Sequence, residues 1–215
     1  MELITAIEFP NEKRLMMAFV RNLLVLTCGV AISACDAVEG IGEGNTPDTA
    51  IVTLSDTGEI PDQGFADDTG TGSDLTVVDG ALTGYAYEYG LIEGTTTFKG
   101  VAGITPDSNP GAEITTGTVT YDGSYSLAHV EIDEVNNVNG DISLTADFGN
   151  SSVTGADGSL IVAGNFNGTT LSGTVIYDGI SADLSGVVGT EALIGAFAGN
   201  TSDELVVGGI VATAE

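Results

Sequence analysis

An all-β fold, with an eight-stranded antiparallel up-and-down barrel at its centre, is predicted for residues 117–215 of this 215-residue chain. Three observations predict it. Short segments alternate apolar and polar residues with period two and are separated by Gly, Asn and Asp. The segments repeat: Gly117-Thr118-Val119-Thr120-Tyr121-Asp122-Gly123 returns as Gly173-Thr174-Val175-Ile176-Tyr177-Asp178-Gly179, and Asp147-Phe148-Gly149-Asn150 returns in outline as Asn165-Phe166-Asn167-Gly168. No helical period of useful length follows residue 34. Antiparallel strands in series, with no helix to cover an open face, remove their exposed edges best by closing on themselves. The alternative is a two-sheet sandwich.

Taken in order, the chain begins with a targeting segment, 1–34. Lys13, Arg14 and Arg21 form a basic region, and 23–31 is an apolar core broken by Thr27, Cys28 and Gly29. That core is shorter than the roughly 20 residues a membrane-spanning helix requires. Ile32-Ser33-Ala34-Cys35 follows and resembles the lipobox of bacterial lipoproteins. The resemblance implies cleavage after Ala34 and lipid attachment at Cys35, with the membrane as partner through that anchor. The only cysteines are Cys28 and Cys35. One leaves with the signal and the other is acylated, so no thiol remains for a disulfide or a metal site.

Residues 35–74 read as an acidic flexible linker, with Ile51-Val52-Thr53-Leu54 as a candidate short strand within it. They contain ten Asp and Glu residues, from Asp36 to Asp74, and no cation, with frequent Gly, Thr and Pro. Such composition offers little apolar surface for ordering, and a chain of this length spans roughly 35 Å if flexible. The β-barrel domain is expected over 75–215, with its core over 117–215. Residues 75–78, 82–89 and 95–104 read as strands preceding the main array. Residues 105–112, with Pro106, Asp107, Asn109 and Pro110, read as a loop. The eight barrel strands are expected at 116–122, 124–133, 141–148, 152–166 (with a break at Asp157-Gly158), 170–177, 180–188, 192–198 and 204–213. Asp122-Gly123, Gly149-Asn150, Asn167-Gly168 and Asp178-Gly179 are the expected tight turns. Ile142, Leu144, Ala146 and Phe148, then Leu160, Val162 and Phe166, then Leu171, Val175 and Tyr177 supply the inner face. Eight strands leave an interior just wide enough for side chains or one small ligand.

Charge narrows the function classes. The formal net charge is −27, and beyond residue 34 the only Lys or Arg is Lys99. Nucleic acid is excluded as a partner, because phosphate recognition needs Lys and Arg. Catalysis finds little to work with, so the chain reads as a non-enzyme with no cofactor. His129 is the only histidine and is expected to face solvent from mid-strand; alone it makes neither a triad nor a conventional zinc site. The pairs Asp67-Asp68 and Asp133-Glu134 read as solvated carboxylates, and 67–74 lacks the ligand spacing of a calcium loop. Tyr85, Tyr87 and Tyr89 share one strand face at period two. They are the candidate binding residues if exposed; otherwise the stripe packs on the barrel exterior or plugs an opening.

The run Leu144-Thr145-Ala146-Asp147-Phe148 resembles the Ala-Asp-Phe strand and turn of the barrel domain in transferrin-binding protein B and related surface lipoproteins. Gly195-Ala196-Phe197-Ala198-Gly199 with Glu204-Leu205-Val206-Val207-Gly208-Gly209 resembles that domain's closing hairpin. It departs from the pattern at Ala198, where an aromatic is common, in the lack of Pro after Gly199, and in the two residues between Leu205 and the Gly pair. The resemblance covers about 117–215 and no handle domain, so no binding residue is carried over. It implies a surface or outer-membrane lipoprotein of a bacterium, and the chain is expected to be a monomer. Its barrel would capture a host protein, haem or an iron source. The alternative is a structural envelope lipoprotein with no dedicated ligand.

Overall fold

Residues 118–214 close into an eight-stranded antiparallel barrel in the computed structural model, which describes residues 41–42, 46–78 and 80–215. The signal segment, Cys28 and Cys35 lie outside the described residues. Twelve strands are found among the described residues: β1 (Asp48–Thr53), β2 (Phe65–Val78), β3 (Ala81–Ile92), β4 (Phe98–Ile104), β5 (Thr118–Glu131), β6 (Glu134–Asp147), β7 (Ser152–Asp157), β8 (Leu160–Asn167), β9 (Thr170–Tyr177), β10 (Ile180–Val188), β11 (Ala192–Asn200) and β12 (Leu205–Ala214). Strands β5 to β12 follow one another around the barrel. Closure is made by the β12–β5 ladder, which runs from Leu205↔Val130 to Ala214↔Tyr121.

The barrel interior is packed with side chains. Tyr121, Leu127, Leu144, Leu160, Leu171, Val175, Leu193 and Phe197 are fully buried in one apolar cluster. Phe148 and Phe166 join it with ring centroids 4.8 Å apart. The expected inner faces of β6, β8 and β9 are those observed, with Tyr177 only partly buried.

Two strand assignments differ from the sequence reading, and they compensate. Asp122-Gly123 is not a turn: β5 runs straight through it, and β6 continues its partner ladder back to Glu134. The break at Asp157-Gly158 is instead a full hairpin, so 152–166 is two strands, β7 and β8. A two-residue Asp-Gly turn needs backbone of positive φ. Asp178 (φ 47) and Gly179 (φ 89) adopt it, while Asp122 and Gly123 do not. A Cβ on Gly123 would run into the carbonyl of Val211 and into Ala212, so glycine there serves the close approach of β12.

Outside the barrel lies a four-stranded sheet in the order β1-β4-β3-β2, with β1 parallel to β4 and the rest antiparallel. The sequence reading placed 48–53 and 65–74 in a linker; both are strands. Among the described side chains of β2, none is buried. Its order comes from backbone pairing and from aromatics lent by β3, since the rings of Tyr89 and Tyr87 lie across the bare backbone of Gly70 and Gly72. The glycine-rich run 69–74 at its centre is therefore held without an apolar side chain of its own.

Sheet and barrel share a second apolar cluster. Tyr85, Tyr87, Tyr89 and Phe98 from the sheet meet Ala128, Val130, Ala196, Ala198, Leu205 and Val207 on the outside of β5, β11 and β12. The Asn200 side chain secures β1 at its rim, accepting from Thr49 Oγ1 at 2.8 Å and donating to the Pro47 carbonyl at 3.0 Å. Ahead of β1, Ile41 is buried and its amide donates to the Glu131 carbonyl at 3.0 Å.

Candidate binding surfaces

The tyrosine stripe forms as period two dictates, but it faces the barrel. Tyr85, Tyr87 and Tyr89 are only 2%, 4% and 3% exposed. Their rings stack in register with centroids 6.5 Å apart, and Phe98 continues the stack. Each hydroxyl finds a partner where it emerges. Tyr85 Oη lies 2.9 Å from Ser126 Oγ, Ser126 Oγ reaches Tyr87 Oη at 3.4 Å, and Tyr89 Oη donates to Asn137 Oδ1 at 3.1 Å. Burial, the larger effect against the Ser126 hydrogen bonds, raises the pKa of Tyr85 and Tyr87. Of the two readings the sequence left open, packing on the barrel exterior is the one observed, and these rings offer no free face to a partner.

The proline loop is also tied down along most of its length. Thr105 Oγ1 donates to the Leu82 carbonyl at 2.7 Å, and the Ala112 amide donates to Thr190 Oγ1 at 2.8 Å. The Pro110 carbonyl accepts from the amides of Glu191 and Ala192 at 2.9 and 3.1 Å. Beneath it, Tyr121 Oη donates to the Gly189 carbonyl at 2.7 Å, and burial pushes that phenol up to about 12. Pro106 and Asp107 remain exposed at the tip.

An open surface appears where the edge of the sheet leaves the barrel wall. A groove of about 480 Å³ is lined by Ser73, Asp74, Tyr85, Ser124, Tyr125, Ser126, Asn139, Gly140 and Asp141. A neighbouring depression of about 690 Å³ shares Ser124 and Asp141 and adds Asp122, Ser143 and Asp157 among others. Tyr125 Oη donates to Asp157 Oδ2 at 2.9 Å, and its pKa rises to about 12, chiefly through burial. Asp122 is held below the usual carboxylate range by hydrogen bonds from Glu215 and Ser143. The surface therefore combines hydroxyls with four carboxylates and no cation. Lys99, the only Lys or Arg among the described residues, is engaged elsewhere, 3.9 Å from Asp48 Oδ2 and 3.1 Å from Gln63 Oε1. Sequence reasoning missed this groove. Asp74, Asp122, Asp141 and Asp157 come from four strands: the β5–β6–β7 order of the barrel brings the last three together, and the docking of the sheet adds Asp74.

His129 is not solvent-facing, as its mid-strand position had suggested. It is 5% exposed, and its ring meets the edge of Tyr177 at 5.5 Å between centroids. Its parity on β5 matches Tyr125 and Leu127, which point into the barrel. Asp133 sits in the β5–β6 turn with φ 59, beside the exposed Glu134.

No family model matches the chain, and no curated protein matches it. Among solved structures it is similar to a surface lipoprotein, at 14% identity and TM-score 0.45, over 66% of this chain and 81% of that one. It is also similar to transferrin binding protein B from Haemophilus parasuis, at 12% identity and TM-score 0.46, over 70% of this chain and 38% of that one. A third is the haemoglobin receptor HpuA from Kingella denitrificans, at 15% identity and TM-score 0.44, over 62% and 55%. The chain thus spans well under two thirds of the length of either receptor. At these values the likeness is one of β-architecture and carries nothing about a ligand.

Proposed function

We propose that this chain is a lipid-anchored binding module of the bacterial cell envelope, tethered at Cys35 to the outer membrane and displayed at the surface. Its ligand is a protein that offers a basic face to the acidic groove between sheet and barrel. A host protein carrying iron or haem is the class in view.

The observation that carries this reading is the filled barrel. With Tyr121, Leu127, Leu144 and Phe197 fully buried inside it, the barrel holds no ligand within and offers only its outside. On that outside the groove carries Asp74 and Asp141, and the depression beside it adds Asp122 and Asp157. Carboxylates on a surface without balancing cations favour a basic partner and speed its approach, an effect that salt weakens. The lipobox and the acidic stretch after it support a body held away from a bilayer. The lack of a second histidine or a usable thiol supports binding over catalysis.

The test uses the full chain, immobilised and exposed to serum proteins, haemoglobin and haem at low and high salt. The expected result is capture of a protein whose association rate falls as salt rises. It should fall again in an Asp74→Asn, Asp122→Asn, Asp141→Asn variant at fixed salt. Capture of none of these probes would favour the structural-lipoprotein reading.

A further inference from the structure

We propose that His129, Glu131 and Glu204 form a binding site for a divalent transition-metal ion of the zinc class at one end of the barrel. The site is separate from the acidic groove and independent of the proposed partner. It begins with strand parity. His129 and Glu131 are two residues apart on β5 and share its inward face. Across the ladder, His129 pairs with Val206 and Val130 with Leu205. Continuing that register one step sets Glu204 opposite Glu131.

Two carboxylates facing each other across a ladder repel, and among the described residues no Lys or Arg other than Lys99 exists to separate them. What lies between them is the His129 ring. Its Nε2 is 3.8 Å from Glu131 Oε1 and 3.7 Å from Glu204 Oε2. Those distances are too long for hydrogen bonds, and Nε2 is a buried nitrogen with no hydrogen-bond partner. An orphaned buried polar atom calls for an explanation. In the tautomer protonated at Nδ1, Nε2 presents a lone pair between the two carboxylates, and a bound cation would satisfy all three groups.

The geometry fits a metal. The three ligand atoms lie within 4.8 Å of one another. A tetrahedral ion with ligands at about 2.0–2.2 Å holds them about 3.3–3.6 Å apart. Closing on it asks each carboxylate oxygen to approach Nε2 by about 0.1–0.5 Å, and the two oxygens to approach each other by at most about 1.2–1.5 Å. The imidazole is fixed against Tyr177, whereas the Glu131 and Glu204 side chains are 38% and 37% exposed, free to adjust and open to solvent. An ion could enter there and keep water in its fourth position. An imidazole nitrogen in the ligand set favours zinc-class ions over Ca²⁺ and Mg²⁺, which prefer oxygen alone.

The experiment titrates the chelator-treated full chain with Zn²⁺ by calorimetry at about 0.5 M NaCl, where a screening length of roughly 4 Å suppresses diffuse binding by surface carboxylates. The expected result is one Zn²⁺ per chain, retained in excess Ca²⁺. His129→Gln should weaken it at least about 100-fold, and Glu131→Gln or Glu204→Gln about 10-fold each. Because His129 is the only histidine, its imidazole resonances report on the same site without any substitution, and they should shift stoichiometrically with Zn²⁺. Imidazole resonances indifferent to Zn²⁺, or Zn²⁺ affinity unchanged in His129→Gln or Glu204→Gln, would overturn the site.

Discussion

Strands β8 and β11 stand in the same barrel, and their inner faces do the same work. Leu160, Val162 and Phe166 on β8, like Leu193 and Phe197 on β11, are buried in the interior cluster. Their outer faces differ. On β8 the outward residues are Ile161, Ala163, Asn165 and Asn167, all exposed, and Ile161 pairs with Ile176 in the open at 48% and 38% exposure. On β11 they include Ile194, Ala196 and Ala198, all buried. The difference is the sheet. It covers β11, β12 and β5, reaches the start of β6 at Val135 and Asn137, and leaves β7 to β9 in water, so one barrel has a free wall and a covered wall. The covered wall is small as well as apolar: Ala196 lies beside Gly209 across the β11–β12 ladder, and a Cβ on Gly209 would lie within the Tyr85 ring. Close approach of two β-layers requires small residues on the surface that receives the bulky ones. Here the aromatics come from β3 and the alanines and glycines from the barrel.

The sharpest way to break the comparison is to place one charge on each wall. Ala196→Lys buries an ammonium under the sheet with no partner and should cost about 3–5 kcal/mol. Ala163→Lys meets solvent and should stay within about 0.5 kcal/mol of the parent. Urea denaturation of the two variants measures both, and similar losses would mean that the sheet does not cover β11. A smaller effect comes from a single methyl. Gly209→Ala forces the Tyr85 ring to move and should cost about 1–3 kcal/mol, whereas Ala163→Val on the free wall should stay within about 0.5 kcal/mol. Thermal melts of the pair decide it.

The smallest effect probes how the free wall is held at its turns. At the β6–β7 turn Asp147 Oδ1 accepts from the amides of Gly149 and Asn150 at 2.9 and 3.1 Å, and Oδ2 accepts from Asn150 Nδ2 at 2.6 Å. Hydrogen bonds from Asn150, side chain first, hold this carboxyl below its ordinary 3.8. A carboxylate with a depressed folded-state pKa stabilises the fold above its unfolded value and loses that contribution as pH falls through the folded one. Stability of the parent should therefore drop more steeply below pH 3.8 than that of Asp147→Asn. The two denaturation curves should converge in acid; a constant offset at every pH would count against a role for the charge.

Much of the barrel was legible because alternation is local. The inner residues of β6, β8 and β9 follow from period two alone. The two Tyr-Asp-Gly stretches show where that signal needs care. Around Asp178-Gly179 the inward positions are Tyr177 and Ile180, an odd spacing, and the chain reverses with Tyr177 paired to Ile180. Around Asp122-Gly123 the buried positions Tyr121 and Tyr125 keep even spacing, so the strand continues. The dipeptide permits a turn, and the parity of the flanking apolar residues decides whether one forms. The polar start of β6, with Asn136, Asn137 and Asn139, hid its pairing for a related reason: those residues are matched by the backbone of β5 and contribute little burial.

Composition, period and turn chemistry by themselves determined that this chain is all-β and which residues of β6, β8 and β9 turn inward, and they favoured an eight-stranded barrel over a two-sheet sandwich. Each of those facts is written within a few neighbouring positions. Tertiary structure alone decided which wall of the barrel is covered, that Tyr85, Tyr87 and Tyr89 face inward, and that acidic β2 is ordered. It alone set His129 between Glu131 and Glu204. The order of β2 depends on its pairing with β3, and the others on pairs separated by 70 residues or more, such as Tyr85 with Gly209 and His129 with Glu204. Alternation fixes which side of a strand a residue takes, while what lies on that side is set by the docking of one sheet upon another.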